Sequence, residues 1–334
     1  TEFYKEVDWD EEELEDAEDD DAMISMADVL QTLGISAGDA TAYAVKVIKG
    51  RATQPSSFGP KYQPTFFELY GHGTIVEASH GQRRDLNLNG LHALDLRTSK
   101  PNGEPWDFSN AADRKLAKSL INELRPTWVI GSPPCTFFSS WNQGMNHRKM
   151  DPLRVEALRK EAVMHLHFMC SIYRMQLDDG RHFLHEHPAT ATSWNDEWIQ
   201  KIMNHPKVHS VISDQCEYGL LTPGPGGVPT PAKKPTRWMS SSAQMIKRLS
   251  RRCSKTHVHQ QLVGGRAKAC EDYSIELVTD ILRGMRDTAD HEEDWGDSNS
   301  AELDLAMVSA GLMHDVKSSS LAAAYRAEAV SYTH

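Results

Sequence analysis

The sequence predicts an α/β fold, a parallel sheet covered on both faces by helices. Two observations point to it. From Pro64 onward, short apolar runs alternate with longer segments whose apolar residues recur every three or four positions. Several of the short runs end on turn residues, such as Gly71-His72-Gly73 and Ser132-Pro133-Pro134. In sheets of this kind ligands sit at the carboxyl ends of the strands. That places Gly71–Gly73, Asp95, Ser132–Cys135 and Glu186-His187-Pro188 along one edge.

The 334 residues carry a net charge of −11, and length alone allows two small domains or one large one. The charge is uneven. Thirteen acids and one lysine give residues 1–22 a charge of −12, so the rest of the chain carries +1. An acidic balance of this kind does not exclude a nucleic-acid partner. Residues 1–22 hold too few apolar residues to bury and read as a disordered tail. Residues 23–63 read as a short helical segment and linker, with helices at Ser25–Leu33 and Ala42–Ile48 and a Pro/Ser/Gly stretch at Pro55–Pro60. Residues 64–286 form the main domain, and 287–334 a mostly disordered tail with one short helix near Glu302–Met307.

Within the domain, Phe66–Tyr70 and Leu91–Leu96 read as the first two strands. Asn110 caps a helix through Leu124, with Asp113 favouring its amino-terminal dipole and Leu116, Leu120 and Ile121 on its buried stripe. Thr127–Gly131 is the third strand. Leu153–Leu177 is a long helix with Val155, Leu158, Ala162, Leu166, Met169 and Tyr173 on one face. His182–His185 and Val208–Ser213 are strands around a helix at Trp194–Asn204. Ser274–Met285 is the closing helix, with Ile275, Val278, Ile281 and Leu282 inward.

No apolar run approaches the length of a membrane span, and no signal peptide is visible. Five scattered cysteines without a CxxC pair read as free thiols of a reducing compartment. The expected location is intracellular, nuclear in a eukaryote and otherwise cytoplasmic. A start at Thr reads as a piece of something longer.

Four groups of residues can carry chemistry. Pro133 and Pro134 fix the backbone ahead of Cys135, holding a potential nucleophile in a stiff loop. Glu186 ends a strand, where burial can raise its pKa and make it an acid. From Gly219 to Cys270 there are ten Lys or Arg and no acid. Such density of one sign repels itself unless an anion is present, so Lys233, Lys234, Arg248, Arg251, Arg252 and Arg266 read as contacts to a phosphate backbone. Gly71 and Gly73 let a ligand approach the backbone after the first strand, and Asp95 can hold ribose hydroxyls.

In this order the pieces resemble the cytosine-5 methyltransferase family over residues 64–286. The family's glycine turn, ribose acid, adenine-contacting acid, Pro-Cys loop, Glu strand end and Arg segment correspond to Tyr70–Gly73, Asp95, Asp107, Pro133–Ser139, Glu186 and Arg237. Ala267–Ser274 is similar to the family's final motif, which packs back beside the cofactor. Thr136 and His187 stand where the family carries Gln and Asn. The resemblance implies a Rossmann-like S-adenosylmethionine-dependent sheet. Tyr70, Gly71, Gly73, Asp95, Asp107 and Pro133 would hold S-adenosylmethionine. Cys135 would attack carbon 6 of cytosine, Glu186 would protonate the ring, and Arg237 would hold the base carbonyl. Ser139 and the basic residues would contact nucleic acid, DNA rather than RNA. Trp141 or Trp238 would support a flipped base.

The chain also looks like methyltransferase-like domains of phage genomes and retroelement polyproteins. One alternative is therefore a catalytically inactive nucleic-acid-binding domain of a retroelement polyprotein. Another is an exocyclic-amino methyltransferase of Ser-Pro-Pro type, although Cys135 replaces its aromatic platform. Cys253, His257 and His259, and likewise His182, His185 and His187, are spaced close together, but no standard zinc spacing results and no metal is expected.

Overall fold

Alternation within strand β1 (Thr65–Leu69) divides the molecule into two layers: Phe66 enters one core, and Phe67 and Leu69 enter the other. This computed structural model describes residues 62–309 except 101, 140, 141, 263–265 and 267. The acidic tail, the two early helices, the Pro55–Pro60 linker, Trp141 and residues 310–334 lie outside the described residues.

β2 (Asn89–Leu94), β3 (Trp128–Gly131) and β4 (His182–Pro188) join β1 as a parallel sheet in the order β2-β1-β3-β4. β5 (His209–Asp214) lies at the far edge. A small separate hairpin follows, β6 (Leu221–Pro223) with β7 (Pro229–Pro231). β8 (Pro235–Ser240) then runs between β4 and β5, antiparallel to both. The fold is therefore mixed α/β with a six-stranded, mostly parallel sheet, and the wholly parallel expectation is corrected by β8. That strand is hidden in the sequence by Arg237 and by the two lysines just before it. Its proline sits at the first position, where a missing N–H is tolerated.

One helical layer comprises α2 (Ala111–Leu124), α3 (Pro152–Asp178) and α4 (Glu197–Met203). Leu116 and Ile121 from α2, Leu166, Met169 and Tyr173 from α3 and Ile199 from α4 close over Phe67, Val129 and Phe183. The other layer comprises α1 (Thr74–His80), α5 (Ala243–Arg248) and the first turns of α6 (Ile275–Ser309). There Ile75, Met245, Val278 and Ile281 cover Phe66, Trp128, Ile130, Leu184 and Trp238. Each such side chain contributes about 1.5–3 kcal/mol when fully buried.

Local signals set the helix starts. Asn110 caps α2 by accepting from the Ala112 amide at 2.9 Å. Asp151 does the same for α3 at the Leu153 amide, 3.0 Å away, ahead of Pro152 in the first turn. Two details differ from the periodicity reading. The apolar stripe of α3 is buried only from Ala162 onward, and Leu158 is exposed, with no described element covering the first turns. Ile275 is exposed, and α6 continues to Ser309 instead of ending at Met285, because no proline interrupts it. Two compact units divide at Thr288 and Ala289, the second being described only by the backbone of α6 through Ser309 and its first few side chains. No helix among the described residues is long and apolar enough to cross a membrane.

From β1 the chain moves to one side to make β2, then returns past β1 to make β3. The strand order reverses between β1 and β3, so the crevice at their carboxyl ends is the ligand position such a sheet offers.

Candidate functional site

At that crevice the turn after β1 is built on two unusual backbone positions. Tyr70 has φ 58° and Gly73 has φ 100°, both left-handed, and only the second costs nothing. Gly71 is required by a close approach: a Cβ there would lie 2.2 Å from the Glu68 carboxylate. Glu68 itself is buried in β1 and accepts from the Ile75 amide at 3.1 Å, tying α1 to the strand. Tyr70 donates to or accepts from His165 Nδ1 at 2.9 Å and packs edge-on against Phe108.

Asp95 follows β2. One of its oxygens accepts from both the backbone and the side chain of Arg97, each at 2.9 Å. Asp107 lies further along, held by the Ser109 hydroxyl and amide at 2.6 and 2.9 Å, which keep its carboxyl below the usual range. Its own amide donates to Asp113 at 2.8 Å. Asp113 is not a free helix-dipole acid: it is buried and paired with Lys100 at 2.8 Å.

The loop after β3 carries Cys135. Ser132 donates its amide to the Leu69 carbonyl at 3.2 Å, and its hydroxyl meets the Tyr273 hydroxyl at 2.7 Å. Pro133 is buried, and His187 Nε2 lies 3.0 Å from its carbonyl while His187 Nδ1 lies 2.6 Å from Ser193 Oγ. A carbonyl only accepts, so Nε2 carries the proton and Nδ1 accepts from Ser193. Burial holds His187 down at about 4, which keeps this neutral tautomer. His187 thus clamps the Pro-Cys loop from the next strand. Ser139 follows the turn and accepts from the Gln143 amide at 3.0 Å.

Cys135 is half-buried in the field of Glu186, Lys234 and Glu271. Burial first, then the Glu186 charge, pushes its thiol up to about 11, while Lys234 opposes the rise. Glu186 is buried and raised in pKa by desolvation. Among the described residues one of its oxygens, Oε1, lacks a hydrogen-bond partner and stands 3.9 Å from Lys234 Nζ. Lys234 also donates to the Cys270 carbonyl at 3.2 Å. Tyr273 feels Glu186, Glu68 and Cys135 together, and Asp272 lies 3.3 Å from His72. The segment before α6 therefore packs against the glycine turn and the Pro-Cys loop at once.

Other expected positions fall elsewhere. Arg237 pairs with His187 in the β4–β8 ladder, so it takes the face opposite Glu186, and its guanidinium sits 5.1 Å over the Trp194 ring. Lys234, just ahead of β8, is the cation beside Glu186. Trp238 is fully buried and donates to Ser213 at 2.7 Å, so it cannot support a flipped base. Three arginines of the basic segment pair with carboxylates of the same chain. Arg248 pairs with Asp287 at 2.6 Å, Arg252 with Asp214 at 3.4 Å, and Arg251 with the buried Asp280. Arg266 donates to the Pro223 carbonyl at 3.2 Å, and Lys233 is exposed. Carboxylates from other segments thus offset the charges of Arg248, Arg251 and Arg252.

Glu68 and Lys234 are the residues sequence reading missed in these roles. Glu68 sits inside an apolar strand, where a lone acid is itself a signal. Burial lifts its carboxyl from an ordinary 4.5 to about 7. The stability tied to its proton is complete below 4.5 and is lost as pH rises through about 7. Glu68→Gln keeps an acceptor for Ile75 and never ionises. It is expected to be more stable than the wild type by up to about 3 kcal/mol near ~pH 8, with the gap closing in acid. His187 works in the opposite sense, its contribution being present above 6.5 and lost as pH falls through about 4. Urea unfolding across this range checks the sign; a Gln variant weaker than wild type at alkaline pH would refute the assignment.

Fold and site together define an α/β protein whose strand-order reversal is edged by a thiol, a buried carboxyl group and an ammonium group. The chain matches no family profile and no curated protein sequence. A solved methyltransferase structure from Entamoeba histolytica is similar at a TM-score of 0.29 and 16% identity. The similarity covers 54% of this chain and 52% of that one, so this chain spans about half of its length. A likeness this low carries no argument about function.

Proposed function

We propose that this chain is an S-adenosylmethionine-dependent methyltransferase acting on carbon 5 of cytosine in nucleic acid, DNA rather than RNA. One observation carries the reading: a cysteine on a proline-stiffened loop shares an electrostatic site with Glu186, a buried carboxyl group whose pKa is raised by desolvation, at the carboxyl edge of a switch-point sheet.

Cys135 adds through its sulfur to carbon 6 of the ring. Protonated Glu186 gives its proton to the ring nitrogen beside the amino group, so the electron pair displaced by addition reaches carbon 5 without a net negative charge. Lys234, and not Arg237, supplies the nearby positive charge and favours the thiolate that attack requires. Carbon 5 would take the methyl group of bound S-adenosylmethionine, leaving the thioether S-adenosylhomocysteine. The carbon 5 proton is then lost to water, the ring nitrogen returns its proton to Glu186, and expulsion of the thiolate restores the ring. His187 fixes the loop that aims the sulfur.

The crevice suits the cofactor in part. Gly73 leaves the backbone open, since a Cβ there would meet only Ala93 at 3.4 Å. Asp95 stands at the end of the adjacent strand for ribose hydroxyls, with one oxygen held by Arg97. Tyr70, Gly71, Asp107 and Pro133 border the same edge. Bound there, S-adenosylmethionine supplies the electrophilic methyl group.

The test is covalent trapping. An oligonucleotide containing 5-fluorocytosine cannot lose the carbon 5 substituent, so with S-adenosylmethionine present the wild-type chain is expected to form an adduct stable to denaturation. Absence of an adduct with DNA and RNA alike sinks the reading. A second reading, a methyltransferase-like domain without catalysis, is favoured by the thiol being held at about 11. That leaves only ~10⁻⁴ of it as thiolate at neutral pH unless a bound substrate or a protonated Glu186 changes the field.

A further inference from the structure

Away from the crevice, four potential metal ligands converge. Cys216 lies in the turn Gln215–Tyr218 that follows β5, and Cys253, His257 and His259 lie in a segment of irregular backbone after α5. Cys216 and His259 are 43 positions apart in the chain. One donor atom from each residue lies within 4.8 Å of all the others. His259 Nε2 is 3.3 Å from Cys253 Sγ and 3.4 Å from Cys216 Sγ. His257 Nε2 is 3.0 Å from His259 Nε2 and 3.7 Å from Cys253 Sγ. A tetrahedron with bonds of about 2.3 Å to sulfur and about 2.0–2.1 Å to nitrogen has edges of roughly 3.3–3.8 Å, which these four distances approach closely.

We propose that Cys216, Cys253, His257 and His259 form a structural zinc site of the Cys₂His₂ type. Two thiolates and two neutral imidazoles balance the charge of a divalent ion. Four protein ligands close the coordination sphere, so the site is structural and not catalytic. An outer shell is already in place. The Lys255 amide donates to Cys253 Sγ at 3.3 Å, from a left-handed residue at φ 61° that folds the chain back over the sulfur. Asp214 accepts from the Cys253 amide at 2.9 Å, and Glu217 accepts from the Ser254 amide at 2.7 Å.

The segment also needs such a staple. Its described residues form no helix or strand between α5 and the short turn at Lys268–Cys270, and Val258, the one aliphatic residue among its ligands, is 82% exposed. Apolar burial therefore does not hold the ligand stretch Cys253–His259. A metal that ties Cys253–His259 to the end of β5 replaces the missing core, as it does in small metal-dependent modules. The same staple positions Arg251 and Arg252, which precede the first ligand, against Asp280 and Asp214. The proposal is independent of the methyl-transfer reading.

The experiment uses the full chain, purified under reducing conditions without a polyhistidine tag. Elemental analysis is expected to find one zinc per chain. After removal and replacement by cobalt, the spectrum should combine intense tetrahedral d–d bands with thiolate-to-cobalt charge transfer. Cys216→Ser and Cys253→Ser should each weaken zinc binding by more than the ~10–100-fold that loss of an outer-shell partner costs. Cys135→Ala should leave the stoichiometry unchanged. Absence of stoichiometric zinc after reconstitution, a cobalt spectrum without sulfur charge transfer, or unchanged zinc in the Cys216→Ser/Cys253→Ser double variant overturns the proposal. If the ligand variants do not fold, the cobalt spectrum of the wild type still decides.

Discussion

Cys135→Ala is expected to reduce tritium transfer from labelled S-adenosylmethionine to background on DNA and RNA. Alanine leaves the loop's clamp intact, because the His187 contact is to the Pro133 carbonyl and not to the sulfur. What disappears is the nucleophile, and addition to carbon 6 has no substitute in the site. Glu186→Gln should retain the fold and lose ~10²–10⁴-fold in rate, the usual contribution of a positioned general acid. It should also make Cys135 easier to alkylate, since the second cause of its raised pKa is removed. Lys234→Met should do the reverse to the thiol. Arg237→Met should change the rate far less than Lys234→Met, because its guanidinium lies over Trp194 on the other face. Equal incorporation by wild type and Cys135→Ala excludes the mechanism.

Asp113→Ala is expected to cost up to about 3–5 kcal/mol of unfolding free energy, the penalty for breaking a buried pair, offset in part by the exposed Glu104, which lies 3.6 Å from Lys100 Nζ. Lys100 Nζ lies 2.8 and 3.0 Å from the two Asp113 oxygens, and both side chains are almost fully enclosed. The same carboxylate accepts the Asp107 amide. Its loss therefore also loosens the segment that carries Asp107 at the crevice. The double variant Lys100→Met/Asp113→Leu leaves no charge uncompensated and should lose much less than the single change. Urea denaturation of both variants decides. A double variant as weak as Asp113→Ala would mean that packing, and not the stranded ammonium group, sets the cost.

Much of the frame was legible because its signals are local. Phe66–Tyr70, Thr127–Gly131 and Val208–Ser213 match β1, β3 and β5 to within a residue or two, and Asn110 caps α2 where the sequence places it. Strand ends were harder. Leu91–Leu96 is shifted from Asn89–Leu94, and His182–His185 stops short of Pro188. The strand runs on past His185 because His185 and His187 are both enclosed, each hydrogen-bonded through Nδ1. Asp113 in the first turn of a helix looked like a surface acid because its partner, Lys100, is 13 positions away and precedes the helix.

By itself the sequence determined the order of β1 to β5 and of α2, α3, α4 and α6, and the setting of Gly71–Gly73, Cys135 and Glu186 at strand ends. Periodicity and turn chemistry act between near neighbours, so they are written in contiguous residues. Only the tertiary structure decided that Lys234 stands beside Glu186 while Arg237 turns away. It alone matched the arginines with Asp214, Asp280 and Asp287, and brought Cys216 to Cys253, His257 and His259. Those outcomes depend on strand register and on which distant segments meet, and Coulomb attraction and metal ligation respond to distance in space, not to spacing along the chain.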